Sequence, residues 1–415
     1  MRTRHAAGMR ARVALVLVTV AAPGAAAYAE AHVTLAPYVQ DVRSDGFTVA
    51  FETDADAVAT VQANGARAET HGRRHEARLD GLAPGARAHY EVSVDGRRVA
   101  DGEVVLPDAG RPLTFVVFGD TREGGEVEAD VARLAARQSP DLILHTGDLV
   151  PHGADAVGWR DFFAHEGPLM ANVPLYPALG NHEVYRDEGA RNFRRYFVLP
   201  GDGRERLYYS FRFGPALFIV LDGNAPGPAQ TDWLRQQLES AERDRLPHVF
   251  VMLHQPPLSV GEHCGAGLAE ADWVSLFEEH RVRAVFAGHD HAYARMERRG
   301  VRYFISGGGG AGLYAESHSC AAFDLAAKRV YRPVHHLLRV RVDGAQVEIS
   351  ALPLDGAAPI EVTRLSPDEP RFAMEAPSLS PSPSSSPSGA PPWTMAGGAI
   401  CFVLLGIVVR RKKPR

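Results

Sequence analysis

Two hydrophobic rhythms divide the chain. Between residues 31 and 106 apolar and polar side chains alternate, as in Phe47-Thr48-Val49-Ala50-Phe51 and Ala88-His89-Tyr90-Glu91-Val92-Ser93-Val94, with a shorter run at Ala59-Thr60-Val61-Gln62. A period of two marks strands with one buried face, and Asp95-Gly96 supplies a hairpin turn. Short strands separated by turns predict a small β-sandwich. From about residue 111 the rhythm changes. Leu113 to Phe118, Asp141 to His145, Val249 to Leu253, Arg283 to Phe286 and Tyr303 to Ile305 read as mostly apolar strands. Residues 126–137, Gly158 to Glu166 and Gln230 to Arg243 read as helices. Alternating strands and helices predict an α/β layer fold. After residue 334 the pattern is β again, with a hairpin expected around Asp343-Gly344.

The ends differ from this body. Residues 1–29 open with arginines, continue through the apolar run Val13 to Val20 and reach Ala27-Tyr28-Ala29, the order of a secretory signal peptide. Residues 357–392 become rich in Ser and Pro and read as a linker. Residues 393–409 carry no charge and are followed by the basic tail 410–415, which predicts a transmembrane helix with its tail in the cytoplasm. The expected organisation is therefore a signal peptide (1–29), a β-sandwich domain (30–108), an α/β domain (109–356), the linker, the helix and the tail. It describes an exported protein, at the cell surface or in the periplasm, anchored by its C-terminus.

Composition then narrows the function. The formal net charge is −5, but the first 29 and last six positions hold basic residues and no acids, so the body is more acidic than that figure. An acidic body argues against a nucleic-acid partner bound through a basic face. An anionic substrate would need local positive charge, which metal ions supply. Of the three cysteines, Cys401 falls in the apolar C-terminal run. Cys264 and Cys320 lie in loops expected near the site, and both a disulfide and two free thiols are open.

Five segments share one design: a metal-capable side chain at or just after the end of an apolar run. They are Phe118-Gly119-Asp120, Thr146-Gly147-Asp148, Gly180-Asn181-His182-Glu183, Val251-Met252-Leu253-His254 and Gly288-His289-Asp290-His291. In four of them a glycine precedes the ligand, and it is expected to let the backbone turn. Ligands at strand C-terminal ends converge on one edge of an α/β sheet. Carboxylate, amide and imidazole without thiolate suit Mn, Fe, Zn or Ni. Taken singly, a Gly-Asp reads as a turn and a histidine after a strand as a packed core residue. The ordered set of five carries the reading.

That set resembles the calcineurin-like metallophosphoesterases, and more narrowly the purple acid phosphatases. The run Gly288 to Arg295, the run Leu207-Tyr208-Tyr209-Ser210-Phe211 and the preceding β-region support the narrower likeness, which spans roughly residues 35–355. The resemblance implies an αββα sandwich preceded by a fibronectin type III-like sandwich, and two divalent or mixed-valence ions (Fe, Zn or Mn). One ion would take Asp120, Asp148 and His291. The other would take Asp148, Asn181, His254 and His289, with Asp148 bridging. It further implies hydrolysis of phosphate esters by a dinuclear metal-bound hydroxide, on a phosphorylated small molecule or exported substrate, with His182 as acid or charge stabiliser at the leaving group.

Two departures stand out. The tyrosine that purple acid phosphatases place three residues after the second aspartate is Pro151 here, and the Asp-x-His of the wider family is Asp120-Thr121-Arg122. The first ion loses its usual fourth protein ligand, and tyrosinate–iron chemistry is not expected. His152 is a possible replacement. Arg122 is either a phosphate-binding group or a solvated loop charge. His145 reads as core, His335-His336 as structural and Gly307 to Gly310 as a tight loop. Alternatives within the same scaffold are a phosphodiesterase or nucleotidase, a non-catalytic surface binding protein, or adhesion through the β-domain.

Overall fold

The computed structural model describes residues 30–265 and 272–366. The expected signal peptide, most of the linker, the apolar segment 393–409 and the tail lie outside those residues. The anchored localisation is corrected: among the described residues no helix is long and apolar enough to cross a membrane. The segment that suggested the anchor has 17 residues.

Among the described residues the α/β region holds two mixed sheets. The first runs, in spatial order, Glu361–Leu365, Gln346–Pro353, His336–Asp343, Leu113–Phe118, Leu142–His145 and Leu175–Pro177. The second runs Lys328–Arg332, Tyr293–Arg298, Val301–Ser306, Ala284–Ala287, His248–Met252, Ala216–Val220 and Tyr209–Phe213. The two sheets face each other. Phe115 of the first packs edge-on against Phe218, Phe250 and Phe286 of the second. The alternate residues of the second sheet, Leu217, Ile219, Val251 and Val285, join Leu234, Leu238, Trp273 and Phe277 of helices Pro228–Arg243 and Trp273–Glu279 in a separate core. Helices Glu126–Arg137 and Ala156–Met170 cover the first sheet, through Val131, Ala135, Trp159 and Phe162. The α/β expectation holds, and the layers follow helix, sheet, sheet, helix.

Residues 33–105 are all antiparallel strands, Val33–Arg43, Gly46–Ala63, Ala66–Asp80, Arg87–Val94 and Arg97–Val105. They form one hydrogen-bonded network, not two separate sheets. The long hairpin Gly46–Asp80 is broken at a bulge between Glu52 and Ala57. Before the bulge Gly46–Ala63 pairs with Val33–Arg43, and after it with Arg87–Val94. A bulge bends and twists a strand, so one hairpin serves both ends of the region. The β-region shares a core with the first α/β sheet and its helices, where the Tyr38 and Phe163 rings lie 5.0 Å apart.

Candidate metal centre

The parallel strands of both sheets end at one edge, and the chain leaves each of them in a loop. Leu113–Phe118 opens to Asp120, Leu142–His145 to Asp148, and Leu175–Pro177 to Asn181. From the other sheet His248–Met252 opens to His254, and Ala284–Ala287 to His289 and His291. These turns are backbone-strained. Asp120, Asp148 and His289 sit at φ of 56°, 55° and 67°. Such left-handed conformations cost non-glycine residues on the order of 1 kcal/mol or more and collect at functional sites.

The expected glycine role changes accordingly. Gly147 does turn the chain, at φ +101°. Gly180 instead makes room: a Cβ there would lie 2.2 Å from Asp148 Oδ1. The turning is shared by Asp120, Asp148, His289 and Gly147, and Gly180 leaves the space.

Six side chains meet at this edge. His254 Nε2 lies 2.9 Å from Asn181 Oδ1, 3.2 Å from His289 Nδ1 and 3.3 Å from Asp148 Oδ1. Donor atoms that share one first-row ion at ~2.0–2.2 Å have separations of this size. Asp120, Asp148 and His254 each offer an atom within 4.8 Å of the others. His291 Nε2 is 3.5 Å from Asp120 Oδ1. The tautomers are set from behind. His254 Nδ1 donates to the Thr146 carbonyl at 2.9 Å, and His291 Nδ1 to the Gly312 carbonyl at 2.7 Å. Each ring thereby turns its Nε2 inward, the atom a metal would bind. The donor set therefore fits metal ions, by geometry and by chemistry.

The electrostatics agree. Burial pushes the Asp148 carboxyl up, but the charge and hydrogen bond of His254, with His182 behind them, prevail and hold it below the usual carboxylate range. Burial alone would lower His254, yet Asp148 and Asp120 raise it to about 9. Burial raises Asp120 well above the usual range. Burial, then the neighbouring His254 and His263, lowers His289 to about 3. His291 falls to about 4, through burial first and the Arg122 charge behind it. Two neutral imidazoles, an ionised carboxylate and a cationic His254 describe a centre where one proton takes the place of stronger positive charge. Metal binding would displace that proton.

Residues 113–293 match the calcineurin-like phosphoesterase family. The chain carries a calcineurin-like phosphoesterase domain. It is 28% identical over 274 residues to an uncharacterized protein of Mycobacterium tuberculosis, covering 55% of this chain and 52% of that one. It is 26% identical over 242 residues to purple acid phosphatase 22 of Arabidopsis thaliana, covering 55% and 54%. The solved purple acid phosphatase PPD1 from yellow lupin (Lupinus luteus) superposes with a TM-score of 0.70 at 17% identity, covering 80% of this chain and 74% of that one. Purple acid phosphatases thus stand both among the relatives in sequence and among the solved structures that share the fold. The chain spans about half the length of the curated relatives it matches.

Around the phosphoesterase centre, His182 donates from Nδ1 to the Pro151 carbonyl at 2.6 Å and turns Nε2 toward Asp148 Oδ2 at 3.8 Å. Arg122 places Nε 3.3 Å from the same oxygen. His152 lies edge-on to the Tyr185 ring. His145 is buried, accepting from Gly147 N and meeting Thr121, and His336 is buried against Ser306, so both are structural. Gly309 N donates to Gly119 O, which seats the glycine loop on the Asp120 turn.

Four residues of the site were not singled out in the sequence. Glu183 accepts from the backbone N–H groups of Gly180, Asp148, Leu149 and Val150. Burial first and Asp148 second raise it to about 7. Asp290 accepts from Ser259 Oγ and from His263 N and Nδ1. His263 lies 4.0 Å, ring to ring, from His289, and Tyr314 stacks on His291 at 4.0 Å. Glu183 and Asp290 stood inside quoted motifs without a role, and His263 stands next to Cys264. Tyr314 had no signal of its own. Cys264 and Cys320 form a disulfide that ties the His263 loop to the Tyr314 loop.

Proposed function

We propose that this chain hydrolyses phosphate monoesters with the help of two metal ions held by Asp120, Asp148, Asn181, His254, His289 and His291. The observation that carries it is the convergence of Asn181, His289 and Asp148 on His254 Nε2 within 3.3 Å. When bound, the ions supply Lewis-acid charge that offsets the phosphoryl oxygens. Asp148 presents one oxygen to each half of the centre. His182, fixed by the Pro151 carbonyl, holds a proton at Nε2 and delivers it to the departing alcohol oxygen. Arg122 reaches the same space from the Asp120 turn, and its planar fork matches a phosphate oxygen pair. The fibronectin type III-like description of the β-region belongs to this proposal as a scaffold reading. The purple acid phosphatase names among the relatives favour monoesters.

The test is metal analysis of the purified protein beside turnover of p-nitrophenyl phosphate and bis(p-nitrophenyl) phosphate. The wild type should contain metal and prefer the monoester. Asp148→Asn should lose metal and slow turnover by about 10²-fold or more, since a ligand common to both ions exceeds the ~10–100-fold typical of outer partners. A metal-free wild type with full turnover would refute the proposal.

A further inference from the structure

We infer that the two halves of the metal centre are unequal: Asn181, His254, His289 and one oxygen of Asp148 make a tight site, while the Asp120–His291 half is a weak one contested by the Arg122 guanidinium. This rests on the metal-dependent reading above and adds a rank order and a way of filling the second half.

The bridging carboxylate is divided. Asp148 Oδ1 faces His254 Nε2 at 3.3 Å and accepts from the His182 backbone N–H at 3.0 Å. Asp148 Oδ2 faces Arg122 Nε at 3.3 Å and His182 Nε2 at 3.8 Å. The first oxygen therefore belongs to a set of four donors spaced 2.9–3.3 Å from one another's hub. The second is already paired with a cation. The Arg122 side chain is only 14% exposed, so solvent screens this pair little.

A guanidinium stays protonated and offers no lone pair, so it cannot replace the missing ligand. It repels a divalent ion brought to the oxygen it holds. Of the neighbouring positions, the Pro151 carbonyl is taken by His182, and His152 lies edge-on to Tyr185, outside the group that Asp120, Asp148 and His254 form. The Asp120 half is thus left with Asp120, His291 and a carboxylate oxygen in use, whereas the Asn181 half is complete.

A phosphate group changes this balance. Its oxygens match the guanidinium better than one carboxylate oxygen does, and they draw Arg122 off Asp148. The freed oxygen then serves the second ion. Phosphate and that ion bind with positive coupling, each raising the affinity of the other.

The experiment is calorimetric titration of metal-free full-length protein with Mn²⁺, with and without inorganic phosphate. One ion should bind at least about tenfold more tightly than the next, within the usual span of coupling between sites. Phosphate should strengthen the weaker step. Arg122→Gln should bring the two steps together and abolish the phosphate effect. Asn181→Ala should remove the tight step and Asp120→Asn the weak one, with near-UV circular dichroism confirming that each variant is folded. Two equal steps in the wild type, a tight step lost in Asp120→Asn, or an unchanged gap in Arg122→Gln would overturn the inference while leaving the metal-dependent reading standing. No Mn²⁺ binding at all would overturn both.

Discussion

Glu166 shows how much a single buried acid shapes this protein. It lies on the inner face of helix Ala156–Met170, 0% exposed, and among the described residues neither carboxylate oxygen has a hydrogen-bond partner. Burial raises it to about 8. Glu128, facing it from helix Glu126–Arg137, rises to about 9 through burial and then through Glu166. In the fold Glu166 is therefore protonated at neutral pH, while in the unfolded chain it ionises near 4.5. The folded state binds the extra proton, so stability falls as pH rises from about 4.5 toward 8. Glu166→Gln should remove the Glu166 share of that slope and gain about 1–3 kcal/mol at pH 8, with little change at pH 4, as read from thermal unfolding at the two pH values. Glu183 acts differently, as an acceptor for four backbone N–H groups that shape two ligand loops. Glu183→Gln puts a donor where acceptors are needed. Metal affinity should fall about 10–100-fold, measured by titration, with the fold retained.

The strand-to-loop elements carry the site because their turns leave no spare volume. Gly180→Ala would press a methyl group onto Asp148 Oδ1 and its backbone nitrogen. Either the Asn181 helix or the Asp148 turn must shift, and metal content and turnover should drop together. The disulfide is the second device at this level. It closes a separation of 56 residues between two rim loops. The Cys264→Ser/Cys320→Ser double variant should lose about 2–4 kcal/mol by denaturant titration. Legibility differs by element. Leu113–Phe118 coincides with its predicted span because it is a mostly apolar run buried on both faces, and helix Glu126–Arg137 because one buried face imposes a clear period. Strand Ala66–Asp80 was invisible: it is largely polar, half-exposed along most of its length, and exists because Gly46–Ala63 offers it a partner.

The β-region and the phosphoesterase domain behave as one body. Tyr38 Oη donates to the Tyr196 carbonyl, Tyr90 Oη to the Ala171 carbonyl, and Tyr176 Oη to the Val42 carbonyl. Arg195 pairs with Glu52 across the same junction. Removing the Tyr38 ring leaves a cavity beside Phe163 and an unused carbonyl. Tyr38→Ala should cost about 3–5 kcal/mol. Because the core is shared, calorimetry should still show one cooperative transition; two separate transitions would count against the shared core.

The sequence alone determined which side chains stand at strand ends, since apolar runs and the residues that stop them are local facts. Asp120, Asp148, Asn181, His254, His289 and His291 were readable for that reason, and so was the α/β layering. What only the tertiary structure decided are relations between distant segments. These are the pairing of Arg122 with Asp148, the reach of Glu183 into a loop over 30 residues away, the stacking of Tyr314 on His291, and the joining of Cys264 to Cys320. A periodic pattern reports the surroundings of a residue along its own element. It carries no information on which other loop will face that residue once two sheets have packed, and that meeting is where the chemistry is set.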